Sequence, residues 1–138
     1  MATRRKGDTR AAGRTQARSY LSKASEFLHA AVASQQVGNN VAATGNAVHA
    51  GIAAADAIAA ARAGLVWRGE HSQAPAHLES VGGVEGRQAA RHLRRLLPLK
   101  SRAEYEPDPV TAAQARTAVQ AAGRMVAIAE RVLAGVEP

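Results

Sequence analysis

From Val41 to Ala63 the chain reads VAATGNAVHAGIAAADAIAAARA, a run in which most positions are alanine or glycine. Alanine is the best helix former and a poor strand former. The spacing puts Val41, Val48, Ile52, Ala55 and Ala59 on one helical face, with Gly45 and Gly51 beside it. Side chains this small let a neighbouring helix come close. The rest of the chain agrees. Aromatic residues make up 3% of it (Tyr20, Phe27, Trp67 and Tyr105), and β-branched residues are sparse outside a few valines. The expected class is all-α: an up-and-down bundle of four main helices plus a short helix, preceded by a disordered basic arm.

At 138 residues the chain is the size of one domain. Folding would bury roughly two-thirds of the unfolded surface. Residues 1–14 are charged and lack apolar periodicity, which predicts a disordered arm, with the bundle occupying 15–138. The first helix is predicted from about Thr15 to Val37, with Ala17, Tyr20, Leu21, Ala24, Phe27, Leu28, Ala31 and Val32 on its inner face. Gly38-Asn39-Asn40 closes it and opens the second helix, Val41 to Ala63. Gly64 caps that helix. A loop, 64–75, follows with Trp67 closing one end of the bundle, then a short helix near Ala76–Val81. The third main helix is predicted from Val84 to Leu97. It carries Ala89, Ala90, Leu93, Leu96 and Leu97 on one face and ends at Pro98 before a charged turn from Lys100 to Glu106. Asp108-Pro109-Val110-Thr111 is a start signal, with Thr111 as N-cap of a last helix from Ala112 to about Ala134. Its seam, Ala112, Ala115, Val119, Ala122, Val126, Ala129 and Leu133, packs either on the bundle or on a second copy.

Charge is the second constraint. The net charge is +7. It gathers in residues 1–18 (Arg4, Arg5, Lys6, Arg10, Arg14 and Arg18 against Asp8) and in the segment RQAARHLRRLLPLKSRAEY, Arg87 to Tyr105. There Arg87, Arg91, Arg94, Arg95, Lys100 and Arg102 follow one another with no acid before Glu104. Arg87, Arg91, Arg94 and Arg95 form a basic stripe opposite the apolar face, and His92 sits at its edge. A basic stripe on a slightly acidic body points to an anionic partner, nucleic acid first. Scarce aromatics argue against base stacking, so contact with phosphates through an arginine-rich groove is the expected mode.

Other chemistries lack their residues. There is no cysteine, hence no disulfide, thiolate or cysteine-bound zinc. No phosphate-cradling Gly-rich loop with its Lys, no His-Glu-x-x-His and no serine elbow occur. His29, His49, His71, His77 and His92 have no metal-ligand spacing, so no metal or cofactor is expected. No apolar run approaches the ~18 residues of a membrane span, and the N-terminus lacks a secretory signal. A cytoplasmic protein with no membrane contact is the expectation. His49 and Asp56 lie two helical turns apart on one side. They read as a rim histidine and a buried or half-buried carboxylate with an Arg or His partner rather than as a catalytic pair.

The order of these elements resembles the HEPN superfamily (higher eukaryotes and prokaryotes nucleotide-binding). The resemblance rests on Ser19-Tyr20-Leu21-Ser22-Lys23-Ala24, on AVHAGIAAADAI from Ala47 to Ile58, on the Glu70-His71 loop, and on LLPLKSRAEYEPDPVT from Leu96 to Thr111 before the closing Ala-rich helix. It covers about residues 17–134 and is most specific in LKSRAEY with the following Asp-Pro. It implies a bundle of four or five helices, a homodimer, and for many members metal-independent ribonuclease or RNA-processing activity, including toxins of toxin–antitoxin pairs. The family signature, Arg-x4–6-His, falls here on Arg87 and His92 with Gln88 as the polar neighbour. The resemblance gives the arginine the pentacovalent phosphate and the histidine the proton of the 2′-hydroxyl. Arg91, Arg94, Arg95, Lys100 and Arg102 are the expected nucleic-acid contacts. A five-residue step on a continuous helix separates two side chains by about 140°. Arg87 and His92 then diverge unless the helix starts near Arg87 or a partner chain completes the site. The alternative implied by the family is a non-catalytic module that binds nucleotide, nucleic acid or a protein such as a nucleotidyltransferase through the basic helix.

Overall fold

The computed structural model describes residues 8–136. In chain order they form β1 (Thr9–Ala11), α1 (Arg14–Gln36), α2 (Asn40–Ala63), β2 (Leu65–Trp67), a 3₁₀ turn (His71–Gln73), α3 (Ala74–Val81), α4 (Gly83–Glu104) and α5 (Ala112–Val136). The class is all-α, as the alanine-rich pattern predicts: four long helices and one short one, with a two-stranded antiparallel ribbon at one end.

The helix α2 is the axis of the bundle. It packs against α1, α4 and α5. Every residue from Ala53 to Ala60 is buried. A helix apolar all round belongs inside, and α2 is there. On α1, Ala17, Ala24 and Ala31 are at most 1% exposed and form a seam of seven-residue period. The bulk comes from Leu78, Leu93, Leu96, Met125 and Val132 around it, with Val48 and Ile58 from α2 itself. At Gly51 the approach is tightest. A methyl group there would run into Leu96 Cδ1 and lie 3.2 Å from Met125 Sδ.

The caps follow the sequence. Gly38 (φ 79°) and Gly64 (φ 69°) take the left-handed conformation that ends α1 and α2. At the head of α5, Thr111 Oγ1 accepts from the Gln114 N–H (3.0 Å), and Gln114 Oε1 accepts from the Thr111 N–H (2.9 Å). This is a reciprocal capping box.

Three expectations need correction, and one open alternative is decided. The arm is not wholly disordered. Residues 1–7 lie outside the described residues, but Thr9–Ala11 pair with Leu65–Trp67, the Ala12 N–H donates to the Gly64 carbonyl, and Ala12 is 6% exposed. The pairing also gives strand form to part of the expected loop 64–75. Trp67 does close this end, with its indole Nε1–H donated to the Glu70 carbonyl at 2.8 Å.

Third, Pro98 does not end its helix: α4 runs through it to Glu104, and the charged turn starts only after Glu104. The lost N–H at Pro98 is outweighed by what the last turns hold. Leu96 is buried, Leu97 and Leu99 pack on the core, and Glu104 accepts from Lys100 and lies 3.9 Å from His49 of α2. Finally, the α5 seam is spent within the chain. Ala115, Val119, Ala122, Val126, Ala129 and Leu133 are buried against the other helices, leaving Ala112 exposed.

Candidate nucleic-acid interface

The outer side of α4 and the outer side of α5 meet along a cleft. On α4 its wall is Gln88, Arg91, His92 and Arg95; on α5 it is Arg124, Ala127, Ile128 and Arg131. Both sets have the spacing i, i+3, i+4, i+7, one stripe of an α-helix. The cleft measures about 460 Å³. Its floor is set by the burial of Ile128 and of the Leu93 and Leu96 face of α4, which fixes the rotation of each helix and turns the arginines outward.

Arg91, Arg95, Arg124 and Arg131 are exposed, and among the described residues no carboxylate lies within ion-pair distance of any of them. The acids near α4 are engaged elsewhere. His92 sits half-buried among these cations. Burial first, then the charges of Arg124, Arg95 and Arg91, hold its pKa below the ordinary 6.5. At neutral pH the imidazole is therefore uncharged and has one nitrogen free to accept a proton.

Of the seven residues singled out in the sequence, this cleft unites Arg91, His92 and Arg95. Arg87 is exposed and does not line it, because α4 is continuous from Gly83 and the five-residue step carries the two side chains apart. The Arg87/His92 pair is not brought together within one chain. Arg94 turns to the other flank of α4 and pairs with Glu79 of α3. Lys100 donates to Glu104 at 3.2 Å and lies over the Tyr105 ring, 5.5 Å from its centroid. Arg102 is half-buried near the end of α4, away from the cleft lining. Arg124 and Arg131 complete the site from α5 and were missed. Their signal in the sequence is a seven-residue interval on the side of the helix opposite its apolar seam.

His49 and Asp56 do not form a pair either. Asp56 accepts from Arg68 Nη1 (3.2 Å), while His49 is near Glu104 and its ring lies 5.2 Å from that of Phe27. Among the described residues no three His, Asp or Glu side chains converge as a metal site would require. No helix is long and apolar enough to cross a membrane.

The fold and the cleft together define a helical bundle with an arginine-lined cleft between α4 and α5. Comparison with protein-family models, with curated proteins and with solved structures returns no match for this chain.

Proposed function

We propose that this protein is an RNA-directed member of the HEPN superfamily and holds the phosphates of RNA in the α4–α5 cleft. One observation carries the reading: four arginines from two helices face one groove with no carboxylate to neutralise them among the described residues. Unpaired guanidinium groups in a row bind phosphate with two parallel hydrogen bonds each and read no sequence. At 1.5 Å per residue, the Arg124–Arg131 interval extends roughly 10 Å along the axis, enough for more than one phosphate. The HEPN reading brings a cytoplasmic location and a homodimer with it, or a protein partner such as a nucleotidyltransferase.

Binding of a labelled single-stranded RNA, measured by anisotropy against salt, tests this. Four neutralised phosphates give a slope of log K on log salt of about −3. Arg124→Ala with Arg131→Ala should flatten it by about half. Arg116→Ala, on the same helix outside the cleft, should leave it unchanged. Equal slopes for all three proteins would remove the cleft from the interface.

A second reading, metal-independent RNA cleavage, is favoured by the neutral His92 among those arginines. His92 would take the 2′-hydroxyl proton as that oxygen attacks the adjacent phosphorus, with the guanidinium groups around the pentacovalent phosphate. The P–O5′ bond would break as the 2′-oxygen bonds to phosphorus, and the leaving 5′-oxygen would take a proton from water, giving a 2′,3′-cyclic phosphate and a 5′-hydroxyl end. Incubation of total RNA in EDTA should then give cleavage that His92→Ala abolishes. Loss of cleavage in Arg87→Ala as well would mean that Arg87 of a second copy completes the site.

A further inference from the structure

We propose that a second cavity, between α2 and the connection from β2 to α3, binds a small organic acid: an apolar body of benzene size or slightly larger lies in the cavity, and its carboxylate is held by Arg68. The proposal is independent of RNA binding in the α4–α5 cleft. This cavity lies on another side of α4, where Leu93 rather than His92 lines it.

The cavity measures about 280 Å³. A cavity of about 150 Å³ holds one benzene, so this one takes roughly ten non-hydrogen atoms. Its apolar walls are Ile52, Ala55 and Ala59 of α2, Leu78 of α3 and Leu93 of α4. Trp67 lines it too and is held in place. Its indole N–H is donated to the Glu70 carbonyl, and a Cβ at Gly69 would lie 2.6 Å from the ring's Cζ2. An apolar enclosure of this size suits a hydrocarbon body and costs a bare inorganic anion its hydration.

The polar side chains on the lining, Asp56, Arg68, His71 and His77, choose the head group. His77 is committed, with Nε2–H donated to the Leu65 carbonyl at 2.9 Å. His71 is held below its ordinary pKa by burial first and then by Lys100, so at neutral pH it brings no full charge. Arg68 carries the charge, on five N–H groups. Nη1 donates to Asp56 Oδ2 (3.2 Å) and to the Trp67 carbonyl (2.7 Å), and Nη2 donates to the Tyr20 hydroxyl (2.8 Å). Three bonds fix the guanidinium, while its Nε–H and one Nη2–H meet no acceptor among the described residues. Two donors on a fixed, permanently charged plane suit a carboxylate.

Asp56 sets the pH at which this works. Its side chain is 13% exposed and shares the cavity, and among the described residues Arg68 is the charge that acts on it. Burial lifts its pKa to about 6, close to neutrality. A second carboxylate in the same site lifts it further, because two such groups side by side cannot both stay ionised. Binding at neutral pH therefore takes up one proton onto Asp56. Its Oδ2 goes on accepting from Arg68, its new O–H donates to the ligand, and the single negative charge opposite Arg68 passes from Asp56 to the ligand.

Benzoate and benzamide share one body and differ in the charge of the head. Trp67, the only tryptophan, reports the cavity in the intact protein through its indole N–H resonance. Benzoate should shift that resonance at pH 6 with a dissociation constant of about 1 mM or tighter, the range for a fragment of this size. From pH 6.5 to 8 its affinity should fall about tenfold per unit, the mark of one proton taken up by a group whose free pKa is about 6. At pH 6 benzamide should bind at least about tenfold more weakly, and its affinity should not fall with pH. Asp56→Asn should bind benzoate without the pH slope, and Arg124→Ala with Arg131→Ala should bind it as the wild type does. No shift with benzoate at about 10 mM, equal affinities for the two probes at pH 6, or a benzoate affinity flat in pH would overturn the proposal in the wild-type protein alone, whether or not the Asp56 variant folds.

Discussion

Asp56 should make the fold more stable in mild acid than at neutral pH, against the usual trend for a salt-bridged carboxylate. Its pKa rises from 3.8 to about 6 because burial penalises the charged form more than the charge and hydrogen bond of Arg68 favour it. The folded state thus holds the proton more tightly than the unfolded state. The stabilisation is fully present below the unfolded value and is lost as pH climbs through the folded one. Between pH 4 and 7 the loss from this one group is about 2 kcal/mol, at 1.36 kcal/mol per pH unit over the part of the shift that this window spans. The carboxylate is only 13% exposed, so solvent screening trims this little. Urea unfolding of the wild type and of Asp56→Asn at pH 4, 5, 6 and 7.5 isolates the effect, because all other titrating groups are shared. Wild-type stability minus that of the variant should fall by about 2 kcal/mol across the series. A constant difference, or one that grows with pH, would falsify the reasoning and mean that the ion pair with Arg68 outweighs desolvation.

Three further outcomes follow from particular contacts. Gly51→Ala should lose stability although alanine improves a helix by up to ~1 kcal/mol. The new methyl meets Leu96 and Met125, both fully buried, and overpacking of this kind costs about 1–3 kcal/mol. Thermal melting decides the sign. Pro98→Ala should raise stability by about 2 kcal/mol, the interior-proline penalty less the unfolded-state entropy that proline removes; an unchanged midpoint would count against a helix continuous to Glu104. Phosphate or RNA in the α4–α5 cleft should raise the His92 pKa by offsetting Arg124, Arg95 and Arg91, so binding takes up a proton and tightens below pH 7. Histidine resonances titrated with and without RNA measure this, and His92→Gln should remove the pH dependence.

What the sequence determined by itself is local. Alanine content and three-to-four spacing set the helices. Gly38 and Gly64 set two ends because only glycine takes positive φ without strain, and Thr111 with Gln114 set a start because two backbone N–H groups need partners. The divergence of Arg87 and His92 was legible too, since it depends only on helix geometry. Tertiary structure decided the rest. Residues 9–11 became a strand because Leu65–Trp67 offered an edge. The α4 helix outlasted Pro98 because packed leucines and the Glu104 contacts exceed one missing hydrogen bond. Arg94 left the basic stripe for Glu79, a residue on another helix. Arg124 and Arg131 joined Arg91 and Arg95 because the buried faces of α4 and α5 fix how each helix is rotated against the other. One helix's period shows which residues share its stripe, but only the packing of two helices determines which stripes face one groove.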